Sequence, residues 1–292
     1  MGIDLDAARA FMAAHARTLD RRRLARLLGE ASGAEVLGAV QAYRNPDGGY
    51  GWGLEPDLRS ATSQPGGALH AFEAFADAGP ATTPDAAGLC DWLTTATLPD
   101  GGVPFALPIP DPAASAPFWA GADHTRSSLQ ITAAIAAEAH RTARHDPAVA
   151  AHTWLKRATA FCLDAIAALD GPPHALVLRF AFDLLGALPE RRDDLLERLG
   201  AHVPPTGIVP VEGGLEDEVM RPLDFAPLPD HPARALFAPG VVEAELERLV
   251  RGQRPDGGWE VDFTSHSPLA ALEWRGHATV RAVSILRAEG LA

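Results

Sequence analysis

The feature that most constrains the fold is a Pro-Asp-Gly-Gly turn that recurs with a period near 52 residues. Copies occupy positions 46–49, 99–102 and 255–258. Asp47 and Asp100 are 53 positions apart, and Asp256 follows Asp100 by 156 positions, which is three times 52. A degenerate copy at 205–207 (Pro-Thr-Gly) falls about two periods after Asp100. A fixed period with degenerate copies is typical of repeat architectures.

Between these turns, the apolar residues recur at helical spacings of three and four. The clearest example is the segment that holds Trp154, Leu155, Ala158, Phe161, Cys162 and Ile166. We count about eleven or twelve such helices, so each period holds two helices and six hairpins nearly fill the chain. The nearest approach to a strand is 207–211.

Six hairpins can close on themselves, so that every inner helix is flanked on both sides and covered by an outer ring. We therefore predict an all-α fold, an (α/α)6 toroid that is a closed ring of about six helical hairpins, with residues 1–292 forming a single domain. An open superhelical solenoid is the alternative, but solenoid repeats are usually shorter and more uniform.

The net charge and the positions of the cysteines limit which binding partners and which cellular compartment we expect. The net charge of −13 repels nucleic acid and anionic lipid, and no apolar run is long enough for a membrane span. Cys90 and Cys162 lie on predicted helices among apolar residues, which is typical of core positions in a reducing compartment. We expect a cytoplasmic protein. Its preference for arginine over lysine indicates a GC-rich bacterial genome.

The last copy of the turn resembles a known family. The segment 253–259 (Gln-Arg-Pro-Asp-Gly-Gly-Trp) is similar to the Q-x-x-D-G-x-W repeat of squalene and oxidosqualene cyclases, whose α/α toroid is shared by protein prenyltransferase β subunits. The segment 100–105, followed by Asp123-His124-Thr125, looks like the cyclase arrangement in which D-G-G-W-x-F precedes an acidic D-x-D-D-T motif. The resemblance implies a toroid with a cavity for an isoprenoid.

The chain also departs from this family. Gly121 and His124 stand where protonating cyclases have aspartates, and only Asp123 remains of that motif. The chain has neither the D-D-x-x-D motif for diphosphate ionisation nor the D-x-C pair for the prenyltransferase zinc. The resemblance is therefore specific for the fold and weak for the reaction.

In a ring of hairpins, the long loops from outer to inner helices all emerge at one mouth. Aromatic residues and arginines are concentrated in these loops, and aromatic faces suit a hydrocarbon or a carbocation. The alternative is that the aromatic rings only plug the end of the barrel. The predicted substrate-binding residues are Trp52, Arg59, Phe105, Trp119, Arg221, Phe225, Trp259, Trp274 and Arg275.

The same loops hold carboxylates that could act as a general acid, because burial among aromatic rings raises the pKa of a carboxyl group. The predicted catalytic residues are Asp123, Asp224, Asp57, Glu55, Glu273 and His124. For each carboxylate there is a structural alternative, in which it caps a helix or forms an ion pair within its loop.

These residues give three functional hypotheses. The first is a terpene-cyclase-like protein that binds or converts an isoprenoid or a similar apolar small molecule by general-acid chemistry. The second is an α/α-barrel glycoside hydrolase or lyase with paired carboxylates. The third is a binding or scaffold toroid without chemistry. No cofactor is expected, and no His or Cys spacing in the sequence indicates a metal site.

Overall fold

The computed structural model describes residues 2–292, and the all-α prediction is confirmed. Helices account for 56% of the chain. Within the described residues there are fourteen α-helices, two short 3-10 helices and one sheet of two strands. No helix in that range is both long and apolar enough to cross a membrane.

The elements alternate with loops along the whole chain. The α-helices are α1 (Leu5–His15), α2 (Thr18–Leu27), α3 (Gly33–Val40), α4 (Pro65–Ala78), α5 (Pro84–Ala96), α6 (Pro117–Ala120), α7 (Leu129–Ala143), α8 (Pro147–Ala151), α9 (Thr153–Ala167), α10 (Ala175–Ala187), α11 (Asp193–Gly200), α12 (Pro222–Phe225), α13 (Pro239–Arg251) and α14 (Pro268–Ala288). The 3-10 helices span Gln41–Tyr43 and Pro232–Leu236, and antiparallel strands β1 (Val209–Pro210) and β2 (Val219–Met220) form the sheet.

The repeated turn has one geometry in all three full copies. The aspartate side chain accepts a hydrogen bond from the N–H of the second glycine, at 3.0 Å for Asp47, 3.2 Å for Asp100 and 3.1 Å for Asp256. The first glycine has a positive φ of 91°, 101° or 94°, which explains the need for glycine there. In the degenerate copy Thr206 takes the place of the aspartate and accepts the N–H of Ile208 at 3.4 Å.

The helices form six pairs, and a copy of the turn lies between the two helices of four of them. The first and second helices of these pairs are α1 and α2, α3 and α4, α5 and α7, α9 and α10, α11 and α12, and α13 and α14. The second helices pack on one another in the order α2, α4, α7, α10 and α12, and α14 packs on α2. Each first helix packs against the second helix of the preceding pair, and α1, α3 and α13 also pack against their own second helices. The fifth second helix, α12, is only one turn long, which sequence periodicity did not predict.

Close backbone contacts fix how the loop before α4 meets that helix. A Cβ atom on Gly67 would lie 2.3 Å from the carbonyl oxygen of Tyr50, so only glycine fits there. The N–H of Gln64 binds the same carbonyl at 2.9 Å. The first turn of α4 is therefore locked against residues 50–64, the loop that carries most of the candidate site.

The buried face of α4 is made of small and aromatic residues, chiefly Ala71, Phe72 and Phe75. Burial of apolar surface of this kind is worth roughly 25 cal/mol per Å2. Cys90 and Cys162 are also fully buried and unpaired, as predicted. Three polar residues, His70, Glu73 and the exposed Asp77, interrupt this apolar helix.

Candidate functional site

The loop at 51–60 turns into the molecule and carries two carboxylates with it. Leu54 and Leu58 are almost completely buried and anchor the loop on either side. Between them, Glu55 and Asp57 are only 5% and 3% exposed. A turn holds this shape, because the N–H of Leu58 binds the carbonyl oxygen of Glu55 at 3.0 Å. Apolar anchors thus place two acids where water is scarce.

Glu55 belongs to a chain of histidines and carboxylates that joins this loop to α4 and α14. His70 Nε2 lies 2.7 Å from Glu55 Oε2, and His70 Nδ1 lies 3.0 Å from Glu73 Oε2. His277 Nε2, on α14, lies 3.1 Å from the same Glu73 oxygen. We call Glu55, His70, Glu73 and His277, together with the Arg17, Asp20, Arg23 and Asp77 side chains described next, the histidine network.

Two arginines complete the histidine network from the side of α2. Arg23 contacts Glu73 at 3.2 Å and Asp77 at 2.6 Å. Arg17 binds Asp20 at 2.7 Å and donates to the carbonyl oxygen of Leu54 at 2.8 Å. Breaking a buried ion pair of this kind typically costs about 3–5 kcal/mol. The network therefore holds the loop, α2, α4 and α14 in one arrangement.

Asp57 lies beside the histidine network and is held by α14 and the loop before it. One of its oxygens accepts the N–H of His266 at 2.7 Å, and the other accepts Trp274 Nε1 at 2.7 Å. The ring of Trp274 packs edge-on against His70 and His277, with centroids 5.7 and 5.5 Å apart. Asp57 is therefore a buried acid next to an aromatic ring.

A further ion pair, between Arg59 and Glu273 at 2.6 Å, links the same loop to α14. Both side chains are partly accessible, at 27% and 11%. Because both charged groups remain partly accessible, this pair is suited to binding and orienting a ligand.

Proton affinities differ sharply within the site. Burial raises the pKa of Asp57, although the bonds from His266 and Trp274 lower it. For His70, burial is outweighed by the Glu73 and Glu55 carboxylates, which raise its pKa to about 9. Burial lowers the pKa of His277 despite the nearby Glu73. At neutral pH, His70 therefore carries the proton of this imidazole pair.

The Glu73 carboxylate contacts His70, His277 and Arg23. Burial opposes its ionisation, but His277, His70 and Arg23 together hold the pKa of Glu73 well below its usual range. Since His277 is itself mostly neutral, we attribute the effect chiefly to His70 and Arg23. Glu73 is thus an ionised carboxylate shared by two imidazoles.

A second polar cluster, the arginine network, lies on α7, α10, α12 and α14. Arg141 binds both Glu138 and Asp183, and Arg281 binds Asp224 at 3.0 Å. Burial raises the pKa of Glu138 to about 7 in spite of Arg141. Charged side chains thus project from α7, α10 and α14 as well as from α2 and α4.

These charged groups lie deep in the fold, yet they are not sealed from solvent. Burial is the largest single influence on the pKa of Glu73, Asp183 and Arg281. Their side chains nevertheless remain 15%, 21% and 31% accessible. Deep position with residual accessibility is expected of groups that line an internal polar space rather than a dry core.

Aromatic residues flank the loop at 51–60. Phe105 and Trp119 stack with centroids 4.3 Å apart, and Phe118 lies against the same indole while remaining exposed. The tip of Trp119 approaches Gly66 at the start of α4, beside the Glu55 side chain. Trp119 Nε1 is buried without a hydrogen-bond partner among the described residues.

Of the residues predicted from sequence, the structure brings together Glu55, Asp57, Arg59, Glu273 and Trp274. Asp123 and His124 lie apart from them and are exposed. Asp123 accepts the N–H of Thr125 at 2.9 Å and also its hydroxyl. These bonds lower the pKa of Asp123, the opposite of what a general acid needs. The N-cap of α7 is Ser128, so Asp123 does not cap that helix.

The other predicted residues have partners of their own. Asp224 belongs to the arginine network. Trp259 is buried and donates to the carbonyl oxygen of Leu249 at 2.8 Å, and Phe225 packs between other core phenylalanines. Arg275 binds Asp256 of the repeated turn at 2.8 Å, and Arg221 lies 3.6 Å from Glu245.

Trp52 lies at the surface, 57% exposed, although it was predicted to bind substrate. Its indole N–H donates to the Asn45 side chain at 2.7 Å. Its φ of 57° is positive, which is uncommon for a residue other than glycine. Trp52 therefore braces the outside of the loop rather than its inner face.

Sequence reasoning missed the residues at the centre of the site, namely His70, Glu73 and His277. The available signal was a pair of polar residues, His70 and Glu73, three positions apart on a helix whose only other charged residue is Asp77. The same spacing joins Trp274 to His277 on α14. Polar residues on the buried face of a helix need partners, and this requirement could have identified them.

The chain was also compared with known proteins. No protein-family model matches it, and no curated protein matches it. A function has to be derived from the geometry of its own residues.

Proposed function

We propose that the six helix pairs close into a ring, the (α/α)6 toroid expected from the repeat. The continuous packing from α2 through α4, α7 and α10 to α12 supports closure. From the other direction α14 packs on α2, and its Arg281 donates to the carbonyl oxygen of Leu223 in α12 at 2.7 Å. In such a ring the charged residues of the second helices face a common axis.

On this basis we propose that the protein is an α/α-toroid hydrolase or lyase that acts on a polar, carbohydrate-like small molecule. One observation carries the proposal: charged side chains project from α4, α7, α10 and α14 and remain partly accessible despite their depth. Hydroxyl groups of a sugar can replace the water that solvates the accessible parts of these ion pairs, whereas a hydrocarbon cannot.

The proposed chemistry uses two carboxylates of one loop. Asp57, whose pKa is raised by burial, is the general acid that protonates the leaving oxygen. Glu55, which accepts a hydrogen bond from His70, is the second carboxylate. Trp274 supplies an aromatic face beside them, and the pair of Arg59 and Glu273 offers hydrogen bonds to hydroxyl groups.

The test is a screen of chromogenic α- and β-glycosides, with uronic-acid polymers added to detect lyase products by their absorbance. We expect turnover of at least one of these, and loss of about 100-fold or more in kcat for Asp57→Asn, as general-acid catalysis contributes about 100- to 10,000-fold. The matched control is Asp123→Asn, an exposed aspartate, which should keep wild-type activity. Absence of turnover across the panel, or an active D57N variant, overturns the proposal.

The isoprenoid hypothesis is a second candidate, because the stack of Phe105 and Trp119 with the exposed Phe118 forms an apolar edge beside the same loop. Isoprenoid diphosphates and polyprenes can be screened by thermal shift and turnover. Binding that is weakened by Trp119→Ala, with no response to glycosides, would favour this candidate over the polar one.

A further inference from the structure

Three side chains of the histidine network are arranged as metal ligands are. One donor atom from each of His70, Glu73 and His277 can be chosen so that all three lie within 4.8 Å of one another. Glu73 Oε2 is 3.0 Å from His70 Nδ1 and 3.1 Å from His277 Nε2. Ligands around tetrahedral zinc, with bonds of about 2.0–2.2 Å, lie about 3.3 Å apart, so only small movements are needed.

The ring nitrogen of His70 that would not bind the metal, Nε2, already has the kind of partner that it has in metal sites. Histidine ligands usually donate their other ring N–H to a carboxylate, which fixes the tautomer and the ring orientation. Here His70 Nε2 faces Glu55 Oε2 at 2.7 Å, while Nδ1 faces Glu73. With Glu55 accepting from Nε2, a metal ion that displaces the proton from Nδ1 would gain a lone pair directed to the point where Glu73 and His277 meet.

The net charge around the three residues is also negative, which favours a cation. The histidine network holds four carboxylates, on Asp20, Glu55, Glu73 and Asp77, against the guanidinium groups of Arg17 and Arg23. Counting only the carboxylates and the guanidinium groups, the network carries two net negative charges, and its side chains other than Asp77 are mostly buried. A divalent cation would balance these charges, since buried charges are stable only when they are compensated.

Arg23 is the one group that opposes a cation here, because its guanidinium is 3.2 Å from Glu73. The same guanidinium binds Asp77 at 2.6 Å and lies 3.9 Å from Asp20, so its charge is shared among three carboxylates. Arg23 can therefore turn toward Asp77 and Asp20 while Glu73 binds a metal.

We propose that His70, Glu73 and His277 form a binding site for one divalent transition-metal ion of the zinc type, with Glu55 orienting His70. Two imidazoles and one carboxylate are a donor set that suits zinc, cobalt or iron and disfavours magnesium and calcium, which prefer all-oxygen sites. Three protein ligands leave a fourth position for water or a substrate atom.

The experiment measures metal binding directly. The full-length protein is treated with EDTA, dialysed and titrated with Zn2+ by calorimetry, and bound metal is counted by elemental analysis. We expect one zinc per chain, visible d–d absorption from tetrahedral Co2+ in the same site, and no saturable binding of Mg2+. Failure to bind zinc or cobalt stoichiometrically overturns the proposal.

Variants decide whether the ion sits at these residues. His277→Gln keeps a hydrogen-bond donor for Glu73 and should weaken zinc affinity by more than about 100-fold, while Glu55→Gln should weaken it by about 10- to 100-fold. The matched control is His140→Gln, a half-buried histidine of α7 whose side-chain partner is Thr159, and it should bind as wild type. Equal zinc affinity in all three variants overturns the proposal, because the ion would then be bound elsewhere.

This inference does not rest on the proposed substrate. Zinc binding is measured without any sugar, and glycoside turnover is measured on the protein as purified and again after EDTA treatment. Stoichiometric zinc without turnover of glycosides supports the metal site and rejects the glycosidase, and turnover without zinc binding does the reverse.

Discussion

Two loops of this protein begin with the same Pro-Asp-Gly-Gly turn and carry acids, yet they place those acids in opposite environments. In the loop before α4, Glu55 and Asp57 are buried and face α4 and α14. In the loop before α7, Asp123 is exposed and bonds only its near neighbour Thr125. The pKa of Asp57 in the first loop is raised, whereas the pKa of Asp123 in the second loop is lowered.

The residues on either side of the acids explain this difference. Leu54 and Leu58 flank Glu55 and Asp57, and their burial draws the segment inward. Asp123 is flanked by small and polar residues from Gly121 to Arg126, of which Ala122 alone packs against the core, and only in part. The position of an acid in a long loop is thus set by its apolar neighbours more than by the turn that starts the loop.

The largest expected effect comes from removing an anchor. Leu58→Ala should lower the free energy of unfolding by about 3 kcal/mol, within the range for buried leucine, because it leaves a cavity beneath the loop. Urea denaturation measures this loss, and hydrogen exchange should show faster exchange at residues 54–58. A loss below about 1 kcal/mol would mean that the leucine is not what holds the loop.

The next effect concerns the acids themselves. Glu55→Gln removes one charge from a buried pair and should lower the free energy of unfolding by about 2 kcal/mol. The loss is smaller than for removal of the whole side chain, because the amide oxygen can still accept a hydrogen bond from His70. Asp123→Asn, in the exposed loop, should change stability by less than about 0.5 kcal/mol. Equal losses in the two variants, measured by the same urea titrations, would contradict the contrast between the loops.

A smaller effect is expected for Trp274→Phe, which removes the indole N–H that binds Asp57. Loss of this hydrogen bond leaves one carboxyl oxygen of Asp57 without a donor and should lower the free energy of unfolding by about 1–2 kcal/mol. Because that N–H favours the ionised form, its removal should also raise the pKa of Asp57 further. Thermal unfolding gives the first quantity, and an unchanged melting temperature would argue against the bond.

The smallest expected effect is on the titration of Asp57 and Asp123, whose pKa values should be shifted in opposite directions. Carbon-13 NMR of the carboxyl groups should give a midpoint above 3.8 for Asp57 and below 3.8 for Asp123. The raised pKa of Asp57 favours folding at low pH, and this contribution is lost as pH rises through its folded midpoint. The lowered pKa of Asp123 favours folding above pH 3.8, and that contribution is lost as pH falls through its folded midpoint. Midpoints in the reverse order would refute the assignment of environments.

Much of the fold could be predicted from the sequence because the turn chemistry and helical periodicity are local. Asp47, Asp100 and Asp256 form the same turn, and the degenerate Thr206 copy forms a weaker version of it. The one-turn helix α12 was not predictable, because its second-helix position is filled by a proline-rich segment rather than by a periodic one.

The site was predicted only in part, for a physical reason. Glu55, Asp57 and Trp274 were recognised because acids and aromatic rings in long loops are conspicuous. His70, Glu73 and His277 are single polar residues within helices, and their role depends on which helix faces which. Contacts between residues more than two hundred positions apart, such as His277 with Glu73, are not encoded in any local pattern.

We propose that the functional centre is formed by the buried loop with Glu55 and the facing sides of α4 and α14, and that the exposed loop with Asp123 is not part of it. The most direct measurement is anomalous diffraction at the zinc edge from crystals grown with one equivalent of Zn2+. A single strong peak about 2.0–2.2 Å from His70 Nδ1, a Glu73 oxygen and His277 Nε2 is the predicted result. Anomalous density confined to surface groups such as His124, with none between those three residues, would contradict the claim.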